Sequence, residues 1–297
     1  MTTTKVLAAY QNGNCRVTIH EDGTKVREWE EGDPNPEFPE SIDLKITDYC
    51  DAGCPFCHER STRKGVHAKT EDVLRIVESL PPGVEIAIGG GNPMAHPDLP
   101  VVLRSLKERG LVANITVHES HAMEYDHEIL RHQRLDSIHG LGISLTDCAD
   151  AEIILQLGFR ENIVWHVIAG ISGPQGVIRY ASVMDKILVL GYKKFGFGEK
   201  FFSPKIKNNM DEWKYWIGTI MRKVPHVSFD NLAIEQLGIR DKITKDRWAE
   251  SYMGDDGHFT MYADAVKMEF AVSSVSKRHQ IGDMDIRSCF GSLRASP

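Results

Sequence analysis

The chain has 297 residues, 35 basic against 42 acidic side chains and a net charge of −7. With 41% hydrophobic residues it can bury a sizeable core as one large domain or two small ones, which excludes wholesale disorder. The acidic balance leaves no global electrostatic footprint for nucleic acid, no stretch approaches the ~18 apolar residues of a membrane span, and the opening MTTTKVLAAYQNGN lacks the apolar segment of a secretory signal; a cytoplasmic location with no membrane partner is expected.

Residues 5 to 30 alternate between apolar and polar, with Asn12-Gly13 and Asp22-Gly23 as two-residue turn signals, and predict a small antiparallel meander. EEGDPNPEFPE (30 to 40), with three prolines and five acids, reads as an extended linker. From there the pattern becomes strands alternating with amphipathic helices. SIDLKIT (41 to 47) is strand-like, and TEDVLRIVESL (70 to 80) sets Val73, Leu74, Ile76, Val77 and Leu80 on one helical stripe behind a capping Thr70. VEIAIGG (84 to 90) is a second strand, followed by a helix starting at Pro97. ANITVHE (113 to 119), LGISL (141 to 145), NIVWHVIAG (162 to 170) and KKFGFGEKF (193 to 201) are further strand candidates, with helical patterns between them, clearest in VIRYASVMDKILVLG (177 to 191).

Six strand-helix units in series predict an α/β fold with a parallel sheet, either open and doubly wound or a full or partial barrel. The last 70 or so residues leave that pattern, and HFTMYADAVKMEFAVSS (258 to 274) alternates like a hairpin. The expected division is an N-terminal meander and linker over 1–38, a strand-helix domain over 39–225 and an α+β extension over 226–297.

Three of the six cysteines, Cys50, Cys54 and Cys57, lie within eight residues of one another in ITDYCDAGCPFCHER. Gly53 and Pro55 disfavour a helix there, so the segment reads as a loop leaving the first strand of the sheet, able to curl three sulfurs around one centre. In a reducing compartment such clustering points to metal rather than to disulfides, and soft thiolates suit an iron–sulfur cluster or zinc with His58 or His67 as fourth ligand. Cys15, Cys148 and Cys289 are scattered. His127 and His132 are five residues apart and diverge by ~140° on a helix, so they are not the pair of a zinc metalloprotease.

Cys50-x3-Cys54-x2-Cys57, with Phe56 directly before the third cysteine, resembles the signature of the radical S-adenosylmethionine (radical SAM) enzymes. The resemblance implies a partial (β/α)6 TIM-like barrel holding one [4Fe–4S] cluster on those three cysteines, with SAM on the open fourth iron. It implies reductive cleavage of SAM to methionine and a 5′-deoxyadenosyl radical that takes a hydrogen atom from substrate, with an electron donor such as flavodoxin or ferredoxin.

The same resemblance extends along the strand ends, where βα barrels build their sites. Gly89-Gly90-Gly91-Asn92-Pro93 is similar to the family's Gly-Gly-Glu-Pro motif, whose backbone and acid hold the SAM amino group. Asn92 departs from it, since an amide oxygen accepts from an ammonium without charge assistance. Ser144 resembles a serine that reaches the ribose or carboxylate of SAM, and Val167 and Ile168 resemble residues flanking adenine. Each has a plainer reading: a turn for the glycines, a helix cap for Ser144, core packing for Val167 and Ile168. His118, Glu119 and His121 make an unusually polar strand end and are candidates for substrate binding. Cys148, Cys289 and Tyr262 are candidate hydrogen-atom donors, with packing as the simpler role. A modified nucleotide or base in nucleic acid is the first expectation for substrate. A peptide or an amino-acid-like metabolite is the alternative, and a non-catalytic zinc module is the rival of another class.

Overall fold

The computed structural model describes residues 4–160 and 162–295, so positions 1–3, 296 and 297 of the expected terminal regions lie outside the described residues. β1 (Val6–Asn12), β2 (Cys15–His20) and β3 (Lys25–Trp29) form the expected antiparallel meander. Gly13 and Gly23 turn it with φ of 60° and 84°, a region open to glycine. The linker is held firmly. Asn12 accepts from the amides of Glu37 and Phe38 and donates to the Phe38 carbonyl, while Glu40 takes a two-pronged guanidinium contact from Arg27 at 2.8 Å on each oxygen.

The main sheet contains β4 (Ser41–Thr47), β5 (Glu85–Gly90), β6 (Val112–His118), β7 (Gly140–Leu145), β8 (Ile163–Ile168), β9 (Lys186–Leu190) and β10 (His226–Phe229), all parallel and in sequence order. Beyond β4 the sheet continues with β11 (Thr260–Asp264), parallel to it, then β12 (Glu269–Ala271) and β13 (His279–Gln280). The hairpin expected near 258–274 is β11–β12, and it extends the sheet from the β4 side. Helices α1 (Thr70–Val77), α2 (Leu99–Glu108), α3 (Glu119–Glu124), α4 (Asp126–Arg134), α5 (Asp150–Leu155) and α6 (Pro174–Arg179) lie between successive strands. α7 (Phe197–Phe201), α8 (Pro204–Lys223), α9 (Asn231–Leu237), α10 (Lys245–Ser251) and α11 (Ile286–Ala295) complete the chain. The architecture is a partial strand-helix barrel with β10 and β13 as its edges.

One strand differs from expectation. Residues 186–190, read as the end of a helix, form β9, whereas 193–201 is a loop followed by α7. A five-residue run KILVL suits a buried parallel strand as well as it suits a helix, and only pairing to Trp165–Ile168 on one side and to β10 on the other decides it. Thr70 likewise begins α1 but does not cap it; its hydroxyl donates to Asp98 at 2.8 Å.

Alternation along the strands gives the sheet two faces. Ile42, Leu44, Ile46, Ile86, Ile88, Ile115, Val117, Ile143, Trp165, Val167, Ile187 and Val189 are buried and join Val73, Ile76, Leu103, Trp213 and Ile217 of the helices in one core. The opposite face carries Asp43, Lys45, Gly89, Thr116, Gly142, Ser144 and His166 and lines the hollow of the barrel.

Candidate active site

The cysteine loop springs from the carboxyl end of β4. It is tied at its start by Cys50 N donating to the Thr62 carbonyl at 3.0 Å and Thr62 N to Asp48 at 3.1 Å. Its far end is held by Phe197 N donating to the Cys57 carbonyl at 2.9 Å. Gly53 takes φ 71° in the middle, where a side chain would be strained. All three thiols are half-buried and unbonded to one another. Burial pushes Cys50 up and Cys54 to about 11, with the neighbouring thiols adding to the effect. An electropositive metal centre reverses that tendency by stabilising thiolate.

Beneath the loop Lys45, 2% exposed at its side chain, contacts Asp48 at 2.5 Å, Glu59 at 2.8 Å and Asp264 at 3.2 Å. Asp48 precedes the first cysteine and Glu59 follows the third, so one ammonium pins both ends of the loop, and Asp264 joins β11 to the same point. Glu59 also accepts from the Tyr262 hydroxyl at 3.1 Å, and Arg278 lies 3.9 Å over the Tyr262 ring. Lys193, in the loop after β9, donates to Ser274 at 2.8 Å and lies 3.5 Å from His58 Nε2. Burial first, then Lys193, holds the His58 imidazole down at about 3.

The end of β5 presses against the loop. Gly91 N donates to Thr47 at 2.8 Å and Asn92 N to Tyr49 at 2.6 Å. A Cβ on Gly91 would collide with the Tyr49 carbonyl and come within 3.1 Å of Cys50 Cβ. Gly90 needs φ 114°, whereas Gly89 has open space above it. Asn92 is fully buried: its Oδ1 accepts from Met94 N at 3.1 Å at the start of a 3-10 turn over Pro93–Ala95, and its Nδ2 donates to Asp51 Oδ1 at 3.2 Å. The same Asp51 oxygen accepts from His121 Nε2 at 2.8 Å.

The polar end of β6 is largely committed to internal bonds. His118 caps α3 and pairs with Ser120, and burial, aided by His121, holds it down at about 4. Glu119 accepts from the amides of Thr146 and Asp147 at 2.8 and 3.3 Å, fastening β6 to the loop after β7, and burial raises its carboxyl. Only His121 reaches the cysteine loop. Ser144 pairs in register with His118 on one side and His166 on the other; it is half-buried and caps no helix. The His166 ring lies across Gly142, and burial, then Lys193, hold it down at about 4. Ile168 is half-buried on this face, whereas Val167 is fully buried in the helix-side core, since alternate residues of a strand point to opposite faces. Val167 therefore does not share Ile168's environment.

The hydrogen-donor candidates divide similarly. Cys148 and Cys289 belong to the hydrophobic core, with burial raising their thiols to about 12 and about 11. Those positions suit packing rather than hydrogen transfer. Tyr262 lies nearer the loop, but its hydroxyl is engaged by Glu59, and burial, then the Glu59 charge, raise it strongly. Phe56 is half-buried beside Phe201, ring centroids 6.1 Å apart. His67 bonds Thr47 at 2.9 Å rather than facing the thiols.

A cavity of about 530 Å³ opens between Cys50, Asp51, Gly53 and Cys54 on one side and Arg63, Phe197, Lys200 and Phe201 on the other. Among the described residues no three Cys, His, Asp or Glu side chains converge tightly enough for a single ion. A zinc ion at 2.3 Å from each thiolate would require sulfurs roughly 4 Å apart, whereas a four-iron cluster spreads its cysteines more widely. Cys50 and Cys54 line that hollow, Cys57 stands on the same loop, and three free soft thiols are the donor set that suits an iron–sulfur cluster.

Residues 44–150 match the family model described as the Radical SAM superfamily. Over that stretch the chain carries a radical SAM domain. The family implies one [4Fe–4S] cluster, for which Cys50, Cys54 and Cys57 are the candidate ligands, and SAM as cofactors. A curated relative, the PqqA peptide cyclase of Granulibacter bethesdensis, is 35% identical over 83 residues, a match spanning 27% of this chain and 22% of that protein. Among solved structures, Streptococcus suis SuiB bound to S-adenosylmethionine aligns with a TM-score of 0.58 at 14% identity, covering 88% of this chain and 68% of that one. SuiB bound to precursor peptide SuiA gives 0.56 at 14% identity over 88% and 67%. At such identities the likeness establishes the fold. Among the described residues no helix is long and apolar enough to cross a membrane.

Asp51, Lys45, Glu59, His166 and Lys193 belong to the candidate site by their geometry, and pattern reading does not single them out. Asp51 sat inside the motif as an unremarked spacer, and His166 and Lys45 looked like chance polar residues in apolar strands. A polar residue at alternate positions in a strand that is otherwise buried on both faces was the available signal.

Proposed function

We propose that this chain is a radical SAM enzyme that modifies a peptide. The observation that carries the chemistry is the loop of three free thiols at the carboxyl end of β4, pinned at both ends by Lys45 and opening onto a cavity lined by Cys50 and Cys54. When bound, the cluster and SAM together supply a radical that abstracts hydrogen from substrate. The chain's own residues position that pair: Cys50, Cys54 and Cys57 anchor the cluster, Gly89 leaves room for SAM, and Ser144, His166 and Ile168 line the hollow below. Burial keeps His118 and His166 neutral at pH 7, so they act there as hydrogen-bonding groups and not as cations.

Peptide is favoured over a nucleic-acid base for two reasons. Two of the similar proteins, the PqqA peptide cyclase and SuiB bound to its precursor peptide, are peptide proteins by name, and the net charge of −7 supplies no phosphate-binding field. The test is anaerobic turnover with SAM, dithionite and deuterated candidate peptides, followed by mass spectrometry of the 5′-deoxyadenosine formed. Deuterium incorporated from a peptide pool supports the reading; incorporation only from an oligonucleotide pool overturns it.

A further inference from the structure

Three acids flank the cysteines of the loop, and their surroundings differ. Asp48 and Glu59 both pair with the Lys45 ammonium. Among the described residues no lysine or arginine lies within 4.0 Å of Asp51; its ionic-range partner is His121, whose Nε2 lies 2.8 Å away. That imidazole is buried, 2% exposed at its side chain, and its Nδ1 has no partner among the described residues, which fits a neutral ring donating through Nε2. Asn92 Nδ2, the second donor to the same oxygen, is also neutral. Two uncharged donors thus fix a carboxylate at the wall of the cysteine cavity, which Arg63 and Lys200 also line without an ion pair to it among the described residues. A carboxylate held in a partly enclosed site calls for a cation.

Position 92 carries an amide where the related motif has an acid, and the missing charge reappears 3.2 Å away on Asp51. We infer that Asp51, oriented by Asn92 and His121, supplies the anionic contact for the ammonium group of SAM in this chain. Asn92 is then a positioning residue, since its oxygen already caps the turn at Met94. This inference rests on the radical SAM reading and deepens it at the cofactor site.

The experiment uses the reconstituted full chain with its cluster kept oxidised, so that binding is measured without turnover. Asp51→Asn retains an acceptor for His121 but removes the charge. It should weaken SAM roughly tenfold to a hundredfold by titration calorimetry, the span of one charge-assisted hydrogen bond. Affinity for 5′-methylthioadenosine, which lacks the ammonium, should not change, and iron content and melting should match the unaltered protein. The double variant Asp51→Asn with Asn92→Glu restores the acid on the opposite partner and should recover most of the SAM affinity. Equal SAM affinity in Asp51→Asn, or an equal loss for methylthioadenosine, overturns the inference while leaving the domain reading intact. If Asp51→Asn loads no cluster, the double variant decides: a loaded cluster without recovered SAM affinity overturns the inference, and a loaded cluster with it supports the inference. Failure of the unaltered, cluster-loaded protein to bind SAM would overturn the domain reading and the inference with it.

Discussion

Replacing Lys45 with methionine tests whether the loop is pinned as described. Lys45 and Met have similar stems, so the substitution removes chiefly the ammonium. It leaves Asp264 and Glu59, with side chains 3% and 10% exposed, without their shared cation, and Asp48, 23% exposed, without its partner. Breaking a buried pair by removing one partner costs about 3–5 kcal/mol, because the surviving charge stays desolvated. For 297 residues, with an unfolding entropy of about 2.1 cal/mol/K per residue, that corresponds to a fall in Tm of roughly 5–8 °C. An internal control is Asp136→Ala, which breaks a pair to Arg160 whose partners are 72% and 55% exposed; solvent screening should hold its effect to about 0.5 kcal/mol. Differential scanning fluorimetry of both variants, with iron content after reconstitution, reads the outcome. Lys45→Met should melt early and load iron poorly, since the loop ends are no longer joined to β4 and β11. A Lys45→Met protein as stable as the Asp136→Ala control, with full iron loading, would refute the reasoning.

Gly91→Ala should reduce cluster loading, because its Cβ would meet the backbone of Tyr49 at 2.6 Å from the carbonyl carbon, and a backbone neighbour cannot swing aside. The expected destabilisation is about 1–3 kcal/mol, measured by urea unfolding, and an unchanged midpoint would contradict the close approach. His118 and His166, held at about 4, titrate below an unfolded histidine near 6.5. Between those values the unfolded chain binds more protons, so their contribution to stability is present above pH 6.5 and is lost as pH falls toward 4. Imidazole NMR signals from both residues should stay those of the neutral ring at pH 5.5, and His166→Gln should make unfolding less sensitive to pH across that window; a normal titration midpoint for His166 would contradict its placement.

Much of the frame was legible because it rests on local chemistry. Asn12-Gly13 and Asp22-Gly23 announced the meander, and the strands from Ser41 to Ile168 showed short apolar runs with helical stripes between them. β9 was not legible, since KILVL carries no period that separates strand from helix and its state is decided by neighbours distant in sequence. The cysteine loop was readable from spacing alone. The arrangement around it was not: Asp51 meets His121 across 70 residues, and Lys45 meets Asp264 of the adjacent strand β11 from the far end of the sequence, contacts that no local pattern encodes. Of the strand-end residues singled out from sequence, His118 and Glu119 proved occupied in holding loops together, and Cys148 and Cys289 in filling the core, because a polar or reactive side chain reports its partner only in three dimensions.

The central claim is that three thiols hold a cluster with SAM beside it. The direct measurement is anaerobic reconstitution with iron and sulfide, reduction with dithionite, and quantitation of methionine and 5′-deoxyadenosine after adding SAM. The expected result is a brown protein that forms both products in equal amounts, with Cys50→Ala, Cys54→Ala and Cys57→Ala forming neither. A colourless protein that takes up zinc alone, or a cysteine variant that still releases 5′-deoxyadenosine, would contradict it.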